Sequence, residues 1–459
     1  MRDAMQDDEA LTQARALLAR TPVFDGHNDL AWVVHKDPKA RGDVRAYDLT
    51  RVHAEGDTDI PRLREGLVGA QFWSAYQPTG APHPARTTLE QIDLIRRIEA
   101  AHPDVFHPAR SAADFAKAQR AGKIASYIVV EGGVGLENAL APLRLWQAAG
   151  ARMLIPCHNE TLDWVDSATD APRHHGLNAF GRAVIGECNR LGVIVDGAHV
   201  SHEGIRRIME ISEAPILLSH SNAFSLCDHP RNAPDDVLAR LKDNGGVVMA
   251  TFVPGFVSQR LRDWLRRSRD AYGKAPPGDP KAQIAELEAR YGAAPRAKLA
   301  EVADHIAYLV EAAGIDHVGI GSDFFGGAQP DGLEHVGCFP HLFAELIRRG
   351  FTERDLAKIA SRNVLRVMRE VERVSEVLRE LRRLLRVAGF YYLVARKSGG
   401  DSDAERNPFG FGRVLGACGR RRRRRPSDCE AVSIGAAADL HLDGILFRGP
   451  SRRRVGLEQ

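Results

Sequence analysis

The sequence lacks the features that place a chain in a membrane or in a disulfide-rich secreted class. No window of the 459 residues approaches 18 continuous apolar residues, so no membrane-spanning helix is predicted. Residues Met1–Arg20 are polar and acidic, without the basic and then apolar stretches of a secretory signal. The six cysteines form no Cys-x-x-Cys pair, which argues against a thiolate zinc site and favours reduced thiols. These absences predict a cytoplasmic protein with no membrane partner.

The chain has only a small net positive charge, and this charge lies in the C-terminal part of the sequence. The formal net charge is +3, yet residues 376–459 carry 18 Lys+Arg against 10 Asp+Glu, with six arginines at 420–425. The preceding residues are mildly acidic, so we expect no nucleic-acid partner for them. Residues 397–419 are rich in Gly, Ser and Asp. We therefore predict a main domain over residues 1–375 and a poorly ordered basic tail over residues 376–459.

Eight short runs rich in β-branched and aromatic residues, bounded by Gly, Pro or Asn, are typical of strands. Between most of them, apolar residues recur at helical spacing, as in Ile92, Ile95 and Ile98. Alternating strands and helices indicate a parallel sheet, and eight repeats predict an α/β fold of the (β/α)₈ TIM-barrel type. The predicted strands cover residues 22–27, 69–76, 125–131, 151–157, 192–197, 215–220, 246–252 and 317–322.

Two segments are longer than a minimal barrel needs. Residues 30–68 are polar and Asp-rich, and we expect them to form a loop over the top of the barrel. Residues 254–300 separate the last two predicted strands. Long insertions on this face of a barrel serve as lids or subunit contacts, or else are passive surface excursions. The sequence leaves both interpretations open.

Most of the predicted strands end at, or shortly before, a side chain that can bind a metal or move a proton. Because a parallel barrel carries its chemistry at the C-terminal ends of its strands, we expect these side chains to meet. His27 and Asp29 form a His-x-Asp triplet, whose side chains point to the same side of a strand. Glu131 ends an apolar run, and His199 and His220 follow two later strands.

These five side chains predict a metal site. Imidazole and carboxylate ligands without thiolate suit zinc or a similar divalent ion. Five ligands are too many for one catalytic zinc that keeps an open position, so we predict two Zn²⁺ per chain that share Glu131. Two such ions, about 3.5 Å apart, can deprotonate a bridging water and polarise a carbonyl. We therefore expect a barrel of the metal-dependent hydrolase kind.

Three further residues are candidates for proton transfer and substrate binding. Asp323 closes the last predicted strand and can move a proton between the water and a leaving amine, or can be another metal ligand. His158 follows the fourth strand and can donate to a developing oxyanion. Arg231 is a natural bidentate partner for a substrate carboxylate. His158 and Arg231 also have a simpler interpretation as ordinary loop residues.

An ordered series of motifs resembles the membrane (renal) dipeptidase family of zinc peptidases, especially its soluble bacterial members. The resemblance spans roughly residues 11–375 and rests on the whole set, because no single motif carries it. The motifs are VFDGHNDLAW, GAQFWSAY, EGG, the HN of CHN with the following DWVDSATD, VDGAHVS, SHSNAFSLCDHPRNAPDDVL, ADHIAYLVEAAGIDHVGIGSDF and PDGLEHV.

The resemblance implies a (β/α)₈ barrel that binds two zinc ions and hydrolyses dipeptides, often with a D-residue at the C-terminal position. It implies that the His-x-Asp pair binds one zinc, that the two later histidines bind the other, and that Glu131 bridges them. It also implies that Asp323 and His158 are catalytic and that Asp323, His158 and Arg231 contact the dipeptide substrate. Many members of the family are homodimers.

The chain departs from the family pattern at a few positions. Phe325 stands where the family usually has the second Asp of Asp-Phe-Asp-Gly, and Ala198 where it usually has Ser, but no predicted ligand is lost. Another binuclear barrel hydrolase, of the amidohydrolase or lactonase type, commonly uses a His-x-His pair and a carboxylated lysine. Here the pair is His-x-Asp, and no Lys ends a predicted strand. A non-catalytic zinc-binding protein is the other alternative, and it would hydrolyse no dipeptide.

Overall fold

The computed structural model describes residues 2–272 and 280–398 of the chain. Its strands are β1 (Val23–Asn28), β2 (Val68–Tyr76), β3 (Phe106–Pro108), β4 (Ile124–Glu131), β5 (Ala151–Ile155), β6 (Ile194–Val195), β7 (Leu217–Leu218), β8 (Val247–Ala250) and β9 (Val318–Ile320). They form one parallel sheet in the order β6-β5-β4-β2-β1-β9-β8-β7, with β3 alongside β4. All eight predicted strands are present.

The two ends of this order meet and close the sheet into a barrel. Asp196, directly after β6, forms a parallel bridge with Leu217 of β7. The Gly197 N–H donates to the Leu217 carbonyl at 2.8 Å. The predicted eight-stranded parallel barrel is therefore confirmed. The short strand β3 was not predicted, because three residues that end in Pro carry too little of a strand pattern.

Helices cover the outside of the barrel, and the predicted helical patterns fall within them. The apolar series from Ile92 to Ile98 lies on one buried face of its helix. The helices are α1 (Arg2–Arg20), α2 (Leu30–Lys36), α3 (Ile60–Glu65), α4 (Pro84–Ala101), α5 (Ala112–Arg120), α6 (Ala141–Ala149), α7 (Ala179–Leu191), α8 (His202–Ile211), α9 (Asp235–Asn244), α10 (Pro254–Val257), α11 (Gln259–Tyr272), α12 (Pro280–Tyr291), α13 (Leu299–Ala313), α14 (Phe339–Arg348), α15 (Glu353–Ala357) and α16 (Asn363–Ser398).

Apolar side chains pack on both faces of the strands. Along β4, Ile128 and Val130 belong to the cluster that packs against the helices, whereas Tyr127 and Val129 belong to the cluster inside the barrel. Every residue of β4 is buried, as expected for a parallel strand covered on both faces. Because side chains alternate along a strand, Glu131 follows Tyr127 and Val129 on the interior face, at the C-terminal mouth of the barrel.

The two long segments contain ordered structure. Residues 30–68 include α2 and α3. Between these two helices, the apolar side chains of Val44, Tyr47 and Leu49 are buried. Residues 254–300 include α10, α11 and α12, and positions 273–279 lie outside the described residues. The segment 30–68 is therefore more than a polar loop, because it has its own buried contacts.

The helix α16 runs through position 375, where the sequence suggested a domain boundary. A first compact unit ends at Val387, and the described part of the chain continues as far as Ser398. Within the first unit, Leu378 packs against the inner cluster and Arg379 donates to the carbonyls of Arg190 and Leu191. The boundary at 375 remains a prediction. The six arginines at 420–425 lie outside the described residues.

The four cysteines in the described ranges, at positions 157, 188, 227 and 338, are free and buried. None of the helices in the described part of the chain is both long enough and apolar enough to cross a bilayer.

Candidate metal centre

The five predicted metal ligands converge at the C-terminal mouth of the barrel. His27 lies near the end of β1, and Glu131 is the last residue of β4. Asp29 stands immediately before α2, and His199 and His220 follow β6 and β7 by four and two residues respectively. The sequence thus predicted a set of five side chains that the barrel brings together from four different strand ends.

One half of the centre consists of His27, Asp29 and one oxygen of Glu131. The His27 Nε2 atom lies 3.2 Å from Glu131 Oε2 and 3.7 Å from Asp29 Oδ1. The ligand atoms of these three residues all lie within 4.8 Å of one another. A single cation can contact all three at ordinary coordination distances.

The other half consists of His199, His220 and the second oxygen of Glu131. Glu131 Oε1 lies 3.1 Å from His199 Nε2 and 3.9 Å from His220 Nε2. The two imidazole Nε2 atoms are 3.0 Å apart. Glu131 therefore presents one carboxylate oxygen to each half, which is the arrangement of a bridging ligand.

The protonation of these residues suits cation binding. Burial alone would raise the pKa of Glu131, but His27 and His199 outweigh it and hold that pKa well below its ordinary value. Burial, followed by the charge of Arg231, lowers the pKa of His199, and burial lowers that of His220 in the same direction. Ionised carboxylates and neutral imidazoles are the forms that coordinate metals.

The pKa of His27 shifts in the opposite direction, and this shift indicates a position that suits a cation. Burial would lower the pKa of His27, but the Glu131 and Asp29 carboxylates raise it well above its ordinary value, so this position attracts positive charge. Within the described residues, both His27 nitrogens and Asp29 Oδ1 are buried without a well-aligned hydrogen bond, although His27 Nε2 lies 3.2 Å from Glu131 Oε2. Buried polar atoms are nearly always partnered, and these are atoms that a divalent cation takes as ligands. The residues present therefore fit a metal pair.

Asp323 lies at the edge of this centre. Its Oδ1 atom is 4.0 Å from His27 Nε2, and its ligand atoms also group with those of His27 and His220. Burial raises the pKa of Asp323 to about 7. Its backbone is in the left-handed region, with φ of 63°, a conformation that is costly for a residue with a Cβ atom and recurs at functional sites.

His158 and Arg231, predicted as substrate contacts, also face the centre. The His158 ring centroid is 4.4 Å from that of His199, and burial lowers the pKa of His158, which keeps its imidazole neutral. The Arg231 guanidinium is buried and its Nη1 donates to the Ala198 carbonyl. Among the described residues, Arg231 Nη2 has no hydrogen-bond partner. Its burial lowers the pKa of Arg231 only to about 10, so it stays cationic near neutrality.

Several residues around the centre were not predicted from the sequence. Ser74 donates to Glu131 Oε2 at 2.7 Å, and Tyr76 lies with its hydroxyl 3.5 Å from His158 Nδ1. Both follow Phe72 on the interior face of β2, so the alternation of that strand was the signal that could have found them. Buried Asp25 accepts hydrogen bonds from the Ser322 hydroxyl and the Gln71 amide, which ties β1 to β9 and β2.

Known proteins match this chain over most of its length. A sequence model of the family "Membrane dipeptidase (Peptidase family M19)" matches residues 11–382. Dipeptidase 3 of Mus musculus is 38% identical over 380 residues, which cover 81% of this chain and 68% of that protein. Dipeptidase aclJ of Aspergillus oryzae (strain ATCC 42149 / RIB 40) is 36% identical over 379 residues, covering 79% and 81% respectively.

Solved structures agree as well. The crystal structure of the probable dipeptidase PvdM from Pseudomonas aeruginosa has a TM-score of 0.70 to this chain at 27% identity, covering 80% of this chain and 99% of that one. The family match includes every strand of the barrel and all eight residues predicted for the site. The chain therefore belongs to the membrane dipeptidase family, peptidase family M19, and is a metallo-dipeptidase.

Proposed function

We propose that this enzyme hydrolyses dipeptides, both L-L and L-D, with two zinc ions bound at the mouth of the barrel. The observation that carries the proposal is the Glu131 carboxylate, whose two oxygens face two separate groups of metal-binding side chains. His27 and Asp29 would hold one zinc, and His199 and His220 the other. When bound, the pair supplies a water deprotonated at neutral pH and an electrophile for the scissile carbonyl.

Asp323 is proposed as the proton carrier. A carboxyl group whose pKa lies at about 7 is balanced between accepting and donating a proton near neutral pH. It can therefore take the proton of the nucleophilic water and later protonate the leaving amine. The position 4.0 Å from His27 Nε2 is near enough to the centre for this role without requiring Asp323 to be a ligand.

Arg231 and His158 are proposed to bind the substrate. The free Nη2 donor of a buried guanidinium is suited to the terminal carboxylate of a dipeptide. Neutral His158 can donate one N–H to the oxygen of the scissile carbonyl as charge develops on it. The distance between carboxylate-binding and reacting groups then limits the substrate to two residues. The names of the curated relatives, which are dipeptidases, support the same substrate class.

Two measurements test this proposal. Protein freed of metal with a chelator should bind about two zinc ions per chain and regain hydrolysis of L-L and L-D dipeptides as zinc is restored. Lactones and acetylated amines, which other binuclear barrel hydrolases accept, serve as control substrates. Zinc binding without hydrolysis of any dipeptide in a broad library would refute the proposed activity. Sedimentation velocity would test the homodimer that the family resemblance predicts.

A further inference from the structure

Two adjacent residues of the segment 30–68 contact turns on both sides of the centre. Asp57 Oδ2 accepts a hydrogen bond from the Phe325 N–H at 2.9 Å. Thr58 Oγ1 accepts one from the Asn28 side-chain amide at 2.8 Å. Phe325 lies two residues after Asp323, and Asn28 lies between the two predicted ligands at positions 27 and 29. The pair therefore links the turn that carries the proton carrier to the turn that carries the first metal ligands.

The Thr58 contact fixes the orientation of Asn28. Both side chains are fully buried, and Asn28 Oδ1 also accepts from the Leu30 N–H at 3.0 Å. Both the nitrogen and the oxygen of the Asn28 side-chain amide are thus hydrogen-bonded. These two bonds also fix the backbone between the two predicted ligands. Loss of the Thr58 hydroxyl would leave a buried amide N–H without a partner, which is costly enough to move this turn.

The Asp57 contact holds a strained turn. Asp323 and Phe325 have left-handed backbones, with φ of 63° and 70°. Such conformations persist in residues other than glycine only where the surroundings hold them in place. A carboxylate that accepts from the Phe325 N–H supplies a charge-assisted hydrogen bond for this purpose. Asp57 thereby helps to set the direction in which the Asp323 side chain points.

The two turns that these residues contact are already joined to each other by hydrogen bonds. The two turns exchange backbone hydrogen bonds, from Asp323 N–H to the His27 carbonyl at 3.3 Å and from Asp29 N–H to the Phe324 carbonyl at 3.1 Å. The next residue along the segment, Asp59, caps α3 by accepting from the Arg62 N–H. Asp57 and Thr58 therefore directly precede the capped N-terminus of α3.

We propose that Asp57 and Thr58 are positioning residues of the active site. Thr58 fixes the half of the metal centre that contains His27 and Asp29, and Asp57 fixes the turn that presents Asp323. The inference rests on the proposed function, because it assigns the two residues to the metal-binding and proton-transfer halves of that site. It predicts that their replacement affects different measurable quantities.

For Thr58 the decisive quantity is zinc affinity, measured by competition with a chromophoric chelator. Thr58→Val keeps the shape but removes the acceptor, and we expect it to weaken one of the two zinc sites about 10- to 100-fold, the usual cost of losing a partner behind the ligands. Thr58→Ser restores the hydroxyl and should restore the affinity. Thr88→Val, which removes a buried hydroxyl bonded to the Pro84 carbonyl within α4, is the matched control and should leave zinc affinity unchanged.

For Asp57 the decisive quantity is kcat at saturating zinc. Asp57→Ala should lower kcat about 10- to 100-fold while KM and zinc affinity change little, because only the proton carrier is displaced. Asp57→Asn retains an acceptor oxygen and should recover part of the loss. Asp37→Ala removes a comparable carboxylate cap, on the Ala40 N–H in the same segment, and should leave kcat unchanged.

Two outcomes would overturn the inference. One is wild-type zinc affinity in Thr58→Val together with wild-type kcat in Asp57→Ala. The other is a lower melting temperature in both variants with unchanged zinc affinity and kcat for each zinc-loaded molecule, which would show a structural role alone. If the wild-type protein hydrolyses no dipeptide, the proposed function fails by itself, and the zinc affinity of Thr58→Val and Thr58→Ser still decides the inference.

Discussion

Replacing Arg231 should remove the ability of the enzyme to distinguish a dipeptide from its C-terminal amide. The guanidinium is buried and its Nη1 atom donates a hydrogen bond to the Ala198 carbonyl, while Nη2 has no protein partner in the described part of the chain. A substrate carboxylate would satisfy this donor and neutralise the buried charge. The amide of the same dipeptide offers no negative charge, so it should bind and react more weakly.

The size of the effect follows from the kind of bond that is lost. A hydrogen bond between charged partners contributes about 1.5–3 kcal/mol, which corresponds to about 10- to 150-fold in kcat/KM. Arg231→Met is the best replacement, because its apolar chain retains contact with the Phe256 ring, whose centroid lies 5.4 Å from the guanidinium carbon. The variant therefore removes the charge with little loss of packing.

The assay is a cycle of four kcat/KM values, for wild type and Arg231→Met on an alanine dipeptide and on its amide. We expect the wild type to prefer the dipeptide by about 10- to 150-fold and the variant to show no preference. Arg206→Ala, which removes an arginine paired with Asp236 on the surface, is the control and should keep the preference. Equal wild-type rates on both substrates, or an undiminished preference in Arg231→Met, would refute the assignment.

Further predictions concern the proposed metal ligands, the proposed proton carrier and the C-terminal boundary. Glu131→Gln should lose both zinc ions together in elemental analysis, because one carboxylate is shared, and the loss of one ion alone would contradict a bridge. Asp323→Asn should keep its zinc while kcat falls by about 10²–10⁴, and a variant that loses zinc with activity would instead identify Asp323 as a ligand. Ser74→Ala should weaken zinc binding about 10- to 100-fold, measured by chelator competition, because the hydroxyl orients Glu131. A chain that ends at residue 375 should remain active, but its free energy of unfolding in urea should be about 1–3 kcal/mol lower, because the truncation removes Leu378 from the inner apolar cluster. Unchanged stability would show that this contact contributes nothing.

The barrel and the convergence of the candidate metal ligands could be predicted from the sequence because both depend on short-range patterns. A buried parallel strand is a short apolar run in the sequence. Where such a run ends in Glu131 or leads to His220, the same pattern predicts both the strand and the candidate functional residue at its end. Closure of a parallel barrel then brings such strand ends to one mouth, whatever their separation in the chain. The strand β3, with its three residues, carries no such pattern and was missed.

The surroundings of the ligands could not be predicted in the same way. Ser74 contacts Glu131 across 57 positions of sequence, and Thr58 reaches Asn28 across 30. The alternation of β2 places Ser74 on the interior face but does not identify its partner, and Thr58 belongs to no local pattern, because an isolated Ser or Thr is common in strands and loops. Their partners are set by the register between strands and by the path of the segment 30–68, which only the folded chain defines.

The same reasoning explains why the sequence could not decide between a functional and a passive role for the segment 30–68. Its polar composition is typical of surface chain, yet Thr58 is fully buried and Asp57 is partly buried, each against a turn of the active site. Polar residues are buried at low cost where each finds a hydrogen-bond partner, and here those partners are the backbone and side-chain N–H groups of the two turns. A polar segment can thus form part of the support of a catalytic centre, and its function is visible only from the atoms that it contacts.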